Sequence, residues 1–141
     1  MTDGARDRFL ATVETLALKM LPTPLRQVNV TTAKVRREYR FADAPGFRVL
    51  VEITAKGAEV GIGLEGAAGE KMYANLESSR GLLEQTLGKG LQFRGERGAR
   101  WIGESLPVPA MDARVADLVA RRLATYILYF KPMMDDLGSR A

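Results

Sequence analysis

The chain has 141 residues, with 21 Lys or Arg against 17 Asp or Glu, and neither histidine nor cysteine. The missing imidazole excludes Ser-His-Asp and Cys-His relays and histidine metal ligands, and the missing thiol excludes disulfides, thiolate nucleophiles and cysteine-held zinc or iron–sulfur centres. With 46% hydrophobic and 27% charged residues the composition is that of an ordinary globular protein, and no run approaches the roughly 18 apolar residues of a membrane span.

Apolar side chains at Phe9, Leu10, Val13, Leu16, Ala17 and Met20 give residues 5–20 the i, i+3, i+4, i+7 stripe of an amphipathic helix. Thr2 or Asp3 can cap it, and Pro22 with Pro24 ends it. Residues 22–33 read as a loop with a short extended piece at 27–30.

The period then changes. In residues 34–41, Val35, Arg37, Tyr39 and Phe41 alternate with Lys34, Arg36, Glu38 and Arg40, the mark of a strand with one face inward. Asp43-Ala44-Pro45-Gly46 forms a tight turn. Phe47, Val49, Val51 and Ile53 continue the alternation, Lys56-Gly57 turns the chain again, and Val60, Ile62 and Leu64 mark a third strand. Strands joined by such short turns predict an antiparallel meander.

Helical spacing returns over residues 70–87 through Met72, Tyr73, Leu76, Leu83 and Leu87, stopped at Gly88-Lys89-Gly90. Residues 91–94 and 100–102 flank Gly95-Glu96-Arg97-Gly98 as a second hairpin. After the stiff Leu106-Pro107-Val108-Pro109-Ala110 link, Asp112 can cap a last helix. Val115, Leu118, Val119, Leu123, Tyr126, Ile127 and Phe130 would face inward, and the helix would end before Pro132. The predicted order is α-β-β-β-α-β-β-α. This is an α+β fold, residues 1–141 in a single domain, with an antiparallel sheet of about five strands and helices packed on it.

Three strings suggest chemistry. Gly61-Ile62-Gly63-Leu64-Glu65-Gly66 spells G-x-G-x-x-G, but its first two glycines lie inside a strand rather than at the strand-to-helix turn that cradles a pyrophosphate. They are expected to bare a strand face for close helix packing. Asp43, Glu52 and Lys56 suggest the acid…acid-x-Lys site of restriction-type nucleases. That site needs its second acid and lysine two apart, not four, and in Glu70-Lys71 they are adjacent. Asp135-Asp136 offers too few oxygens for calcium. No catalytic residue, metal ligand or cofactor is therefore expected, and the chain is not read as an enzyme.

The distribution of charge says more. Residues 34–48 carry five cations against two anions and residues 89–100 four against one, so each segment is net +3 while the whole chain is only +4. Arg outnumbers Lys by 15 to 6, and arginine is the better fork for phosphate. If the two hairpins share a sheet face, Lys34, Arg36, Arg40, Arg48, Arg94, Arg97 and Arg100, with Trp101 near, would suit a DNA or RNA backbone. The competing expectation is a solvated face with Glu38 and Glu52 as cross-strand partners. Leu50, on that otherwise polar face, instead favours binding another protein or a second copy of the chain.

Residues 70–137 resemble an uncharacterised bacterial and archaeal domain family found C-terminal to restriction-type nuclease domains. The likeness rests on Tyr73-Ala74-Asn75-Leu76, Leu83-Glu84, Leu87-Gly88, Leu91-Gln92-Phe93, Trp101-Ile102, Phe130-Lys131-Pro132 and Leu137. It implies an accessory role beside nucleic-acid enzymes and carries over no catalytic residue. The predicted element order also looks like the small chaperones of type III secretion, which dimerise and hold an extended partner segment. Those proteins are commonly acidic, whereas this chain has a pI near 9.6. The expectation is thus a cytoplasmic, non-enzymatic protein-interaction or accessory module, a homodimer of chaperone-like shape with no membrane partner. The alternative is a nucleic-acid-contacting accessory domain using Arg36, Arg40, Arg48, Arg94 and Arg97.

Overall fold

A computed structural model describes residues 2–96 and 99–139. Helix α1 spans Asp3–Met20. The Thr2 hydroxyl caps it by accepting from the Ala5 N–H at 3.1 Å, which satisfies one of the donors a helix start leaves open. Phe9, Leu10, Val13 and Ala17 form its buried stripe. A 3-10 turn over Thr23–Arg26 leads into four strands, β1 (Asn29–Ala33), β2 (Arg36–Arg40), β3 (Phe47–Thr54) and β4 (Gly57–Leu64). Helices α2 (Gly66–Ser78) and α3 (Arg80–Leu87) follow, then strands β5 (Gln92–Glu96) and β6 (Ala99–Leu106), and helix α4 (Ala113–Ser139).

The fold is α+β. The six strands form one antiparallel sheet in the order β1-β2-β3-β4-β6-β5. Register puts Tyr39, Val49, Ile62 and Ile102 in one row across β2, β3, β4 and β6, all fully buried. The buried stripes of α1 and α4 join this row in one core cluster, with Leu123, Tyr126, Ile127 and Phe130 from α4. Tyr73, Leu76, Leu83 and Leu87 of α2 and α3 belong to the same cluster. All four helices therefore lie on one face of the sheet. Among the described residues no helix is long and apolar enough to cross a membrane.

Several expectations are corrected. The sheet has six strands rather than about five, because the extended piece expected at 27–30 is a full strand, Asn29–Ala33, paired with β2. Its residues are almost all exposed, so it carries no alternation to read. The helix expected over 70–87 is two, broken at Ser79, which ends α2 and starts α3. Helix α4 does not stop before Pro132 but continues through it to Ser139, with Met134 beyond the proline still buried. Leu118 points outward, 55% exposed. As expected, Asp112 caps α4, its carboxylate accepting from the Val115 N–H at 2.9 Å.

Gly61 and Gly63 do lie inside a strand, but no helix packs on them. A Cβ at Gly61 would come within 2.4 Å of the Ile102 carbonyl oxygen and 2.7 Å of the Gly103 Cα on β6. At Gly63 it would meet the Arg48 side chain at 2.5 Å. Both glycines bare the face opposite the helices, where long side chains lie flat on the backbone.

A candidate protein-binding face

Since side chains alternate along each strand, the register of the core row fixes the outer face as well. One outer row runs Asn29, Arg40, Arg48, Gly63, Trp101, Arg94 from β1 to β5. The next runs Thr31, Glu38, Leu50, Gly61, Gly103, Gln92, and a third Ala33, Arg36, Glu52, Glu59, Ser105. Three glycines in two rows leave shallow troughs in this face. Arg48 lies in one over Gly63, and the Trp101 ring lies over Gly103, 2.4 Å from where its Cβ would stand. The Arg94 guanidinium stacks on Trp101 at 4.4 Å from the ring centre, a cation–π contact that holds both side chains down.

The arginines of the face are matched by acids. Glu38, only 8% exposed, lies 3.1 Å from Arg36, 3.6 Å from Arg40 and 3.7 Å from Arg48. Glu65, at the start of α2, receives a hydrogen bond from Arg40 at 3.0 Å and another from Arg48. The Arg40 hydrogen bond, joined by the Arg48 charge and opposed by partial burial, holds the Glu65 carboxyl below its ordinary value. The same pairing raises Arg40. Arg36 also reaches Glu52 at 4.0 Å, and Arg94 donates to Glu59 at 3.0 Å. Four guanidinium groups thus face four carboxylates.

Of the basic residues singled out in the sequence, Arg36, Arg40, Arg48 and Arg94 come together on this face. Lys34 does not join them; it sits exposed in the turn between β1 and β2. Arg100 projects from the opposite, helix-bearing face, where it pairs with Glu70 of α2 at 3.0 Å. Arg97 lies outside the described residues. The two basic segments therefore share one face only in part. Leu50 occupies its centre as expected, yet is 8% exposed and stands outside the core cluster.

The acids weighed for metal or nuclease chemistry have other partners. Asp43, in the β2–β3 turn, and Asp135 on α4 converge on the ammonium of Lys131, with Asp43 at 3.2 Å. Lys131 is buried, and burial works to lower its pKa. The hydrogen bonds to Asp135 and Asp43 outweigh that and leave it raised. Its ammonium thus answers both carboxylates. Among the described residues no group of three or more Asp or Glu side chains is placed to hold a metal ion. Tyr39 and Tyr126 are pushed far above the usual phenol range, chiefly by burial, and serve as core.

The sequence reading missed Glu59, Glu65 and Gly103. Glu65 is hidden inside the G-x-G-x-x-G string, 25 residues from Arg40 and 17 from Arg48, so only the folded register reveals the pairing. No protein-family model matches the chain, and a search of curated proteins finds no match either. The residues carrying the family resemblance, Tyr73, Leu76, Leu83, Leu87, Leu91 and Phe130, are core, which is packing chemistry. Gln92 and Trp101, also among the residues quoted for it, lie on the outer face.

Proposed function

We propose that this chain is a non-enzymatic protein-interaction module, of the general shape of the type III secretion chaperones, that receives an extended segment of another polypeptide on its uncovered sheet face. The observation that carries the reading is the pairing of Arg36, Arg40, Arg48 and Arg94 with Glu38, Glu52, Glu59 and Glu65 around Leu50 and Trp101. A face whose charges are internally balanced has few free cations to exchange for phosphate counterions. Its flat aromatic patch at Trp101, rimmed by fixed polar groups, suits a polypeptide.

Trp101 is the single tryptophan of the chain and lies on this face, so its fluorescence reports occupancy. Titration with a permanently unfolded, carboxymethylated model polypeptide is expected to shift Trp101 emission with little dependence on salt. Random duplex and single-stranded DNA are expected to leave it unchanged. A DNA response that weakens steeply with salt would overturn the protein-binding reading in favour of the nucleic-acid one. No response to the polypeptide would overturn it outright.

A further inference from the structure

The sheet has two edges, and they differ. Strand β5 carries Arg94, a charge of the kind that guards an edge against pairing. Strand β1, Asn29-Val30-Thr31-Thr32-Ala33, has no charge and no proline, and four of its five residues are exposed. The Ile53 N–H donates to the Val35 carbonyl at 2.8 Å, which fixes the alternation of the backbone in β2. Val35, Arg37 and Tyr39 turn their peptide groups toward β3, and Arg36, Glu38 and Arg40 turn theirs toward Ala33, Thr31 and Asn29 of β1. Val30 and Thr32 accordingly direct their N–H and C=O groups outward, where no strand follows.

We propose that β1 is a homodimer interface, in which β1 of a second copy pairs antiparallel with it about a two-fold axis at Thr31 and joins the two six-stranded sheets edge to edge. The strand is complementary to itself in that register. Val30 meets Thr32 of the second copy in a hydrogen-bonded pair on each side of the axis, using the two residues whose peptide groups face out. Thr31 meets Thr31 of the second copy as the central non-hydrogen-bonded pair, a favoured cross-strand match. Asn29 meets Ala33 of the second copy. Lys34, the nearest flanking cation, comes opposite Val28 of the second copy, so no like charges face each other. Thr31 lies on the uncovered face, so pairing here makes the two candidate binding faces one continuous surface. The interface does not depend on what that face binds.

The test uses the full chain with sedimentation equilibrium to read mass. The wild type is expected to dimerise. Thr31→Lys and Thr31→Glu, each at an exposed side chain, put like charges opposite each other at the axis and are expected to weaken dimerisation about tenfold or more. An equimolar mixture of the two variants is expected to restore the dimer, because the charges then oppose. Thr32→Pro removes one outward N–H without touching the β1–β2 ladder and is expected to weaken the dimer while circular dichroism stays native. A wild type monomeric up to its solubility limit would overturn the proposal. So would a dimer indifferent to all three substitutions, or single variants that dissociate without recovering on mixing. The face reading is followed by Trp101 emission and this one by mass, so either can fail alone.

Discussion

At Arg37 a guanidinium lies on the core side of β2 with only 4% of its side chain exposed. It donates to the Asp7 carboxylate at 2.6 Å, to the Asp7 carbonyl at 3.1 Å and to the Ala33 carbonyl at 2.9 Å, with Glu14 at 3.7 Å. A charge that deep is tolerated because its two terminal nitrogens meet acceptors from both α1 and β1, while Nε makes no hydrogen bond, so it fixes the helix to the edge hairpin. Glu65 does the equivalent on the outer face, tying β2 and β3 to the start of α2. Its carboxyl is held below the ordinary value of 4.5, first by the hydrogen bond from Arg40. The stability it contributes is therefore present above pH 4.5 and lost as pH falls through its depressed folded-state pKa. Because 37% of the side chain remains exposed, screening keeps the worth of the cluster at or below about 1 kcal/mol. Urea unfolding of Glu65→Gln is expected to show a small deficit against wild type at neutral pH that closes as pH falls below 4.5 and the carboxylate protonates. A deficit that persists unchanged in acid would mean that the carboxylate charge is not what holds this site.

At the scale of elements, β4 and β6 approach unusually closely where Gly61 faces Gly103. A Cβ on Gly103 would stand 2.4 Å from the Val60 carbonyl oxygen and 2.4 Å from the Trp101 ring. Gly103→Ala is expected to cost about 1–3 kcal/mol by overpacking, read as a lower urea midpoint. It should also lift the indole from its trough, read as a change in Trp101 emission before unfolding. The strands that bury one face were legible from alternation alone: Phe47, Val49, Val51 and Ile53 in β3 point as their period predicts. Strand β1 was not legible, because an exposed edge of Asn and Thr has no inward set to mark its period. The two helices after β4 read as one because Leu76 and Leu83, seven residues apart, stay in helical phase across the Ser79 break. Helix α4 runs past Pro132 because tertiary contacts outweigh the lost hydrogen bond. Lys131 is tied to Asp43, and Met134 is buried against the core.

For the whole molecule, the excess of base in two short segments describes the chain and not its surface. The cations lie together in sequence, whereas three of the carboxylates that answer them come from β3, β4 and the start of α2. Clustering of arginine was therefore legible and its neutralisation was not, because pairing depends on cross-strand register. This gives a direct test of why the face should not bind phosphate. Glu38→Gln with Glu65→Gln removes two carboxylates that between them hold Arg36, Arg40 and Arg48, and leaves the core untouched. The double variant is expected to gain binding to random duplex DNA at low salt. The slope of log affinity against log salt should steepen by about two if the freed guanidinium groups take up about two phosphates. Fluorescence anisotropy of labelled DNA across a salt series measures it. If wild type and double variant bind alike, the glutamates are not what keeps nucleic acid off this face. If the variant alone binds, the balance of charge written into the register is what selects a polypeptide over a phosphate backbone.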